Sequence, residues 1–219
     1  MLGFIPGVEM ILPFLAVSGS ALFDNLLLLF AVGVAVKIPV NIMIRPHAKS
    51  FIYTNEEIEI MRYDIQKIQK LSVERMKKGH ARLGVVFGVL DEHQKINQLH
   101  LAKLLDVCEG LELTFHKGID ETDVVQSVQL LSHYPKITNV LTAGGKFLIE
   151  KNISIIKEML KQRGHLNLLL GGGLTLDNIV IIKQATKATD FHFGTAIRIQ
   201  HSPFGDIQFE NIRQLLTII

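Results

Sequence analysis

Cysteine occurs once, at Cys108. That excludes an intramolecular disulfide framework and fits a reducing compartment. No Cys/His pair stands at zinc-ligand spacing. Neither a dinucleotide-binding glycine fingerprint nor a Walker-type phosphate loop opens any strand–helix unit. Net charge is only +2, and the basic residues are scattered along helical segments without interleaved aromatics, so nucleic acid is not an expected partner. Residues 1–36 contain no Lys, Arg or His, and only Glu9 and Asp24 are charged. Without a basic start this is a poor secretory signal. Its longest apolar run, residues 26–36, has 11 residues, against the roughly 18 that a membrane span needs. Residues 10–23 are also mostly apolar, but a span joining the two would bury Asp24 near the bilayer centre, which is costly. A strand and helix of a globular core is the better reading of this atypical segment.

What is present is apolar and periodic. Hydrophobic residues make up 48% of 219, enough for one sizeable core with strands buried on both faces. The chain is read as a single domain over residues 1–219. Residues 40–46 (VNIMIRP) form the first clear strand and stop at Pro46, which cannot donate to a central ladder. Thr54 and Glu57 match a capping box, and Ile58, Met61, Ile65 and Ile68 keep helical spacing behind it. Further strands start near 83, 111, 137, 166 and 191, about 25 to 29 residues apart. That is the length of one βα unit. Between them run helical stripes such as Leu101, Leu104, Leu105 and Cys108, with Asp120 and Asp123 read as one helix cap and Thr175 as another. Phe209, Ile212, Leu215 and Leu216 form a closing helix. Six units fit a (β/α) barrel or an open doubly wound sheet, and the differing polar strand ends suit a barrel mouth. Two more barrel strands must then come from residues 10–17 and 27–36.

In order and spacing, IPVNIMIRP, VVFGVL, LTFHKGID, VLTAGG, LLLGGGLTLDNI and FHFGTA resemble the copper homeostasis protein CutC family, from Lys37 to the C-terminus. The resemblance implies a TIM-type (β/α) barrel with its first one or two βα units shortened or remodelled here. It also implies a cytoplasmic, often oligomeric protein with a copper role. This chain departs from the family at the family's proposed metal ligands. Ala21 stands where the family has an acid and Phe23 where it has a cysteine. Soft thiolates select Cu(I), so the losses predict an impaired copper site. His47-Ala48-Lys49 replaces the family's Arg-Gly-Gly after the first strand.

If the barrel closes, its mouth collects Arg45, His47, His116, Lys117, Asp120, Thr142, Gly171, Gly172, Gly173, His192 and Thr195. Arg45 could fork onto a carboxylate or phosphate, and the glycine run offers backbone N–H groups beside a helix start. His116 and Asp120 are the acid–base candidates, or ligands of a metal with His192 joining them. Lys117 is an exposed cation or a Schiff-base lysine. Cys108 is a small core residue on a helix stripe. The expected ligand is copper by resemblance, or a small anionic metabolite by composition of the mouth. Self-association through an uncovered strand edge is expected too.

Overall fold

The computed structural model describes residues 39–202 and 205–219. The two early strands expected at 10–17 and 27–36, and the substituted positions Ala21 and Phe23, lie outside the described residues. Six strands follow in chain order: β1 Val40–Met43, β2 Leu83–Phe87, β3 Glu112–Phe115, β4 Asn139–Thr142, β5 Asn167–Gly171 and β6 Asp190–His192. They form one sheet in the order β1-β2-β3-β4-β5-β6, and every ladder is parallel. Purely sequential parallel order requires each strand to return by a crossover of the same hand, which puts the helices on one face and curls the sheet towards the other. The result is the arc of a barrel, six strands long. No ladder joins β6 to β1 among the described residues.

Helices α1 Asn55–Lys77, α2 Gln98–Asp106, α3 Val124–Leu131, α4 Ile153–Gln162, α5 Ile179–Thr186 and α6 Phe209–Ile218 supply the covering layer. Alternate strand residues (Val40, Ile42, Val85, Phe87, Leu113, Phe115, Val140, Leu168, Leu170 and Phe191) belong to one apolar cluster with Ile58, Met61, Ile65, Leu101, Leu104 and Val128. The intervening residues therefore face the concave side: Asn41, Gly84, Val86, Thr114, Asn139, Leu141, Leu169, Gly171 and His192. Leu141 and Leu169 form a separate small cluster there.

The caps follow the local sequence closely. Thr54 Oγ1 accepts from Glu57 N–H at 3.2 Å, and Glu57 Oε2 accepts from Thr54 N–H at 2.8 Å, so the capping box of α1 is complete. Asp123 caps α3 by accepting from Gln126 N–H. Asp120 is no part of that cap; it turns inward to the mouth. Thr175 likewise caps a turn ahead of α5, accepting from Asn178 N–H, while Asn178 occupies the cap position of the helix itself. In α6 only Leu215 is buried, and Phe209, expected on the inward stripe, is exposed.

One core-facing position of α1 is anomalous. Asp64 is 7% exposed beside the stripe of Ile65 and Ile68, and burial pushes its carboxyl up to about 6. A raised carboxyl is favourable to folding only while protonated, so the stabilising contribution is present below the ordinary aspartate range and lost as pH rises through 6. Asp64→Asn is expected to stabilise the protein by about 1–3 kcal/mol at pH 7.5 and to change little at pH 4. Urea midpoints of both proteins at the two pH values measure it; equal gains at both would mean the ionised carboxylate is not the cause.

Candidate functional site at the strand ends

Residues after the carboxyl ends of β1 to β6 gather at one end of the curl. Arg45 leaves β1 and its guanidinium lies 4.4 Å from the centroid of the Phe51 ring. Its Nε and Nη2 donate to the carbonyls of His47 and Ala48, closing the loop on itself. On its other contact Phe51 meets His116, with ring centroids 4.7 Å apart. Arg45 and His116 therefore share one aromatic spacer. A cleft of about 350 Å³ opens beside it, lined by Arg45, Lys49, Ser50, Phe51, Asp91 and Glu121 among others.

His116 is 2% exposed, and its ring crosses in front of Gly88, the residue just past the end of β2. Its Nδ1 accepts from Gly118 N–H at 3.0 Å. Burial, reinforced by the Arg45 cation, pulls its pKa down to about 3, so the ring is neutral at physiological pH. Asp120 is 5% exposed and accepts from Thr142 Oγ1 at 2.5 Å, Ala143 N–H at 3.0 Å and Gly145 N–H at 3.1 Å. Lys117 Nζ adds a fourth contact, at 2.8 Å, and also reaches the carbonyl of Gly171 at 3.4 Å. The carboxylate thus ties the β4 loop and Lys117 to the 3-10 turn Lys117–Glu121.

His116 and Asp120 consequently do not pair as base and orienter: Nδ1 of the ring is engaged by Gly118, and the carboxylate by Thr142, Ala143, Gly145 and Lys117. Lys117, read as an exposed cation or a Schiff-base lysine, has a 43% exposed side chain, is anchored by an ion pair and hangs over the glycine run. A Cβ on Gly172 would run into Lys117 Nζ, and Gly172 and Gly173 both sit at positive φ, +101° and +91°. Glycine is what that approach requires. His192 crosses Gly171, and burial followed by the Lys117 cation lowers its pKa to about 4. Thr142 is fully buried, donating to Asp120 and accepting from Gly144 N–H, so its hydroxyl is a latch within the loop. His47 turns away from the mouth: its Nε2 is 3.4 Å from Glu57 and its ring 5.1 Å from Tyr53. Thr195, itself exposed, opens the 3-10 turn Thr195–Ile197, in which Ala196 is buried. The strand ends thus bring together Arg45 with His116, and Lys117 with Asp120, Thr142, Gly171, Gly172 and His192. They do not bring in His47.

Phe51 and Gly88 were not singled out by the sequence reading. The aromatics Phe51 and Tyr53 in the loop 47–53 and two glycines spaced along LGVVFGVL, Gly84 and Gly88, were the available signals.

The sequence profile of the CutC family matches residues 14–197. This chain belongs to the CutC family. It is 32% identical over 160 residues to a human copper homeostasis protein cutC homolog, which covers 72% of this chain and 55% of the human protein. The corresponding protein of Dictyostelium discoideum is 29% identical over 177 residues, covering 72% of this chain and 62% of its own length. The chain therefore spans about three-fifths of the length of such relatives. The crystal structure of a CutC protein from Streptococcus agalactiae superposes with a TM-score of 0.62 at 29% identity, covering 71% of this chain and 72% of the other.

Cu(I), the form of copper selected by soft donors, is not matched by the described residues. Cys108 is buried at the end of α2, donates to the Leu104 carbonyl, and has its thiol pushed up by burial to about 12. It is a protonated core residue, as its place on the helix stripe suggests. No group of three or more His, Cys, Asp or Glu side chains is placed to hold a metal among the described residues. No helix among them is long and apolar enough to cross a membrane.

Proposed function

We propose that this CutC-family chain serves copper homeostasis, as its relatives' names state, with an impaired copper site and a strand-end mouth suited to a small anion. The observation that carries the reading is the contrast between donors. The only cysteine of the sequence is a buried thiol far from ionisation, whereas two cations, Arg45 and Lys117, stand at the mouth beside neutral imidazoles and the Gly171–Gly173 turn. Hard or charged oxygen ligands match guanidinium, ammonium and N–H donors; Cu(I) does not.

In this reading the protein acts in the cytoplasm and self-associates. The β1 and β6 edges, which carry no further partner strand among the described residues, support the second point. A second reading is a barrel enzyme of unknown reaction acting on the same anion. The Lys117–Asp120 pair favours it, because a buried carboxylate fixes a partly exposed amine at the site where substrate would lie.

Calorimetric titration with Cu(I) under a competing chelator tests the first reading. Binding no tighter than that of an ordinary histidine pair is expected, unchanged in Cys108→Ser. Sub-nanomolar affinity lost in Cys108→Ser would overturn it. Inorganic phosphate is expected to raise the melting temperature of the wild type and to do so less in Lys117→Gln.

A further inference from the structure

The tautomer of His116 follows from its contacts. Gly118 N–H donates to Nδ1 at 3.0 Å, so Nδ1 presents a lone pair. A neutral ring, as burial dictates here, must then carry its proton on Nε2. That Nε2–H is buried and has no partner among the described residues. Two residues earlier, on the concave face of β3, the Thr114 hydroxyl is also buried and without a partner among the described residues, in a residue 1% exposed. Buried polar groups in folded proteins are nearly always paired, and two orphans in a column on one strand mark a place where an external group completes the set. One edge of the ring is fixed: Nδ1 and Cε1 are the ring atoms nearest Gly88 and Gly118. Arg45, across Phe51 from the ring, adds a positive charge nearby.

We propose that the concave face of β3 is a binding site for a small organic carboxylate, one oxygen of which accepts the Nε2–H of His116 while the Thr114 hydroxyl makes a second contact. This rests on the anion reading above and names the atoms and the ligand class. It also changes the role of His116. With Nδ1 engaged by the backbone and Nε2 protonated, the ring offers no lone pair to a substrate proton. It is a neutral donor that binds or polarises an oxygen, and not the general base that its position suggests in the sequence.

Histidine-ring nitrogen NMR on the full chain, with acetate, pyruvate and inorganic phosphate as probes, tests this. Expected first is a single Nε2–H tautomer for His116 that does not titrate between pH 5 and pH 8. Expected second is a saturable downfield shift of its Nε2–H with acetate or pyruvate, with the apparent Kd rising about threefold to tenfold in Thr114→Val. An Nδ1–H tautomer, or titration in the ordinary histidine range, overturns the proposal. So does Thr114→Val binding as wild type, which would place the ligand away from β3. If Phe51→Leu without probe shifts the Nε2–H as far as the probe does, the aromatic face already satisfies the proton and the proposal fails. If probes move His192 and leave His116 still, the anion reading stands and this assignment falls; if neither ring responds to any probe, both fall.

Discussion

Asp120→Ala is expected to destabilise the protein by about 3–5 kcal/mol, the largest loss of any single substitution at the mouth. The carboxylate is 5% exposed and serves one hydroxyl, two backbone amides and an ammonium. Truncation leaves the Thr142 hydroxyl and the amides of Ala143 and Gly145 without acceptors where water has little access, and frees Lys117 from its anchor. Asp120→Asn keeps one acceptor oxygen but removes the charge, so an intermediate loss of about 1–3 kcal/mol is expected. Urea unfolding of the three proteins at pH 7 gives the order. A loss below about 1 kcal/mol for Asp120→Ala would show that the β4 loop is held by Asn152, whose amide donates to the carbonyls of Ala143 and Phe147, and not by the carboxylate.

Gly88→Ala should have the second largest effect, and a more local one. A Cβ there would stand 2.5 Å from His116 Nδ1, 2.6 Å from Cε1 and 3.1 Å from a Phe115 ring carbon. His116 is not a loose chain end that can step aside. Its Nδ1 is held by Gly118 and its ring lies against Phe51, with Phe115 6.1 Å away between centroids. The methyl must displace the imidazole, at a cost of about 1–3 kcal/mol for overpacking. The displaced ring should lose the Nδ1 bond and titrate closer to the ordinary histidine range. Gly194→Ala is the control, because a Cβ at Gly194 meets nothing within 4 Å, and it should leave both stability and the His116 ring unchanged. An unaltered His116 signal in Gly88→Ala would mean that the strand, and not the ring, yields.

The two substitutions also separate what could be read in the sequence from what could not. The capping box at Thr54 and Glu57, the six strands and the stripe of Ile58, Met61, Ile65 and Ile68 are all local patterns, and all are present. Strand and helix periods, caps and breakers depend on neighbours a few residues apart, so a linear reading reaches them. Arg45 and His116 were expected at one opening, and they meet across Phe51. That pairing was legible only at the level of strand ends, because parallel strands point their carboxyl ends the same way. The partners of each polar tip were not legible. His47 belongs to Glu57, Thr142 to Asp120, and His116 to the amide of Gly118.

By itself the sequence determined the alternation of strands and helices, their parallel sense and the family. Each follows from hydrophobic period, unit length and short ordered motifs. Only the tertiary structure decided that Asp120 holds Lys117 and a loop, and that the His116 ring is held by the amide of Gly118. Hydrogen bonds switch partners over about 1 Å, a distance set by register and by the glycines that let a neighbour's ring cross the strand. Residue identity along the chain contains no such distance.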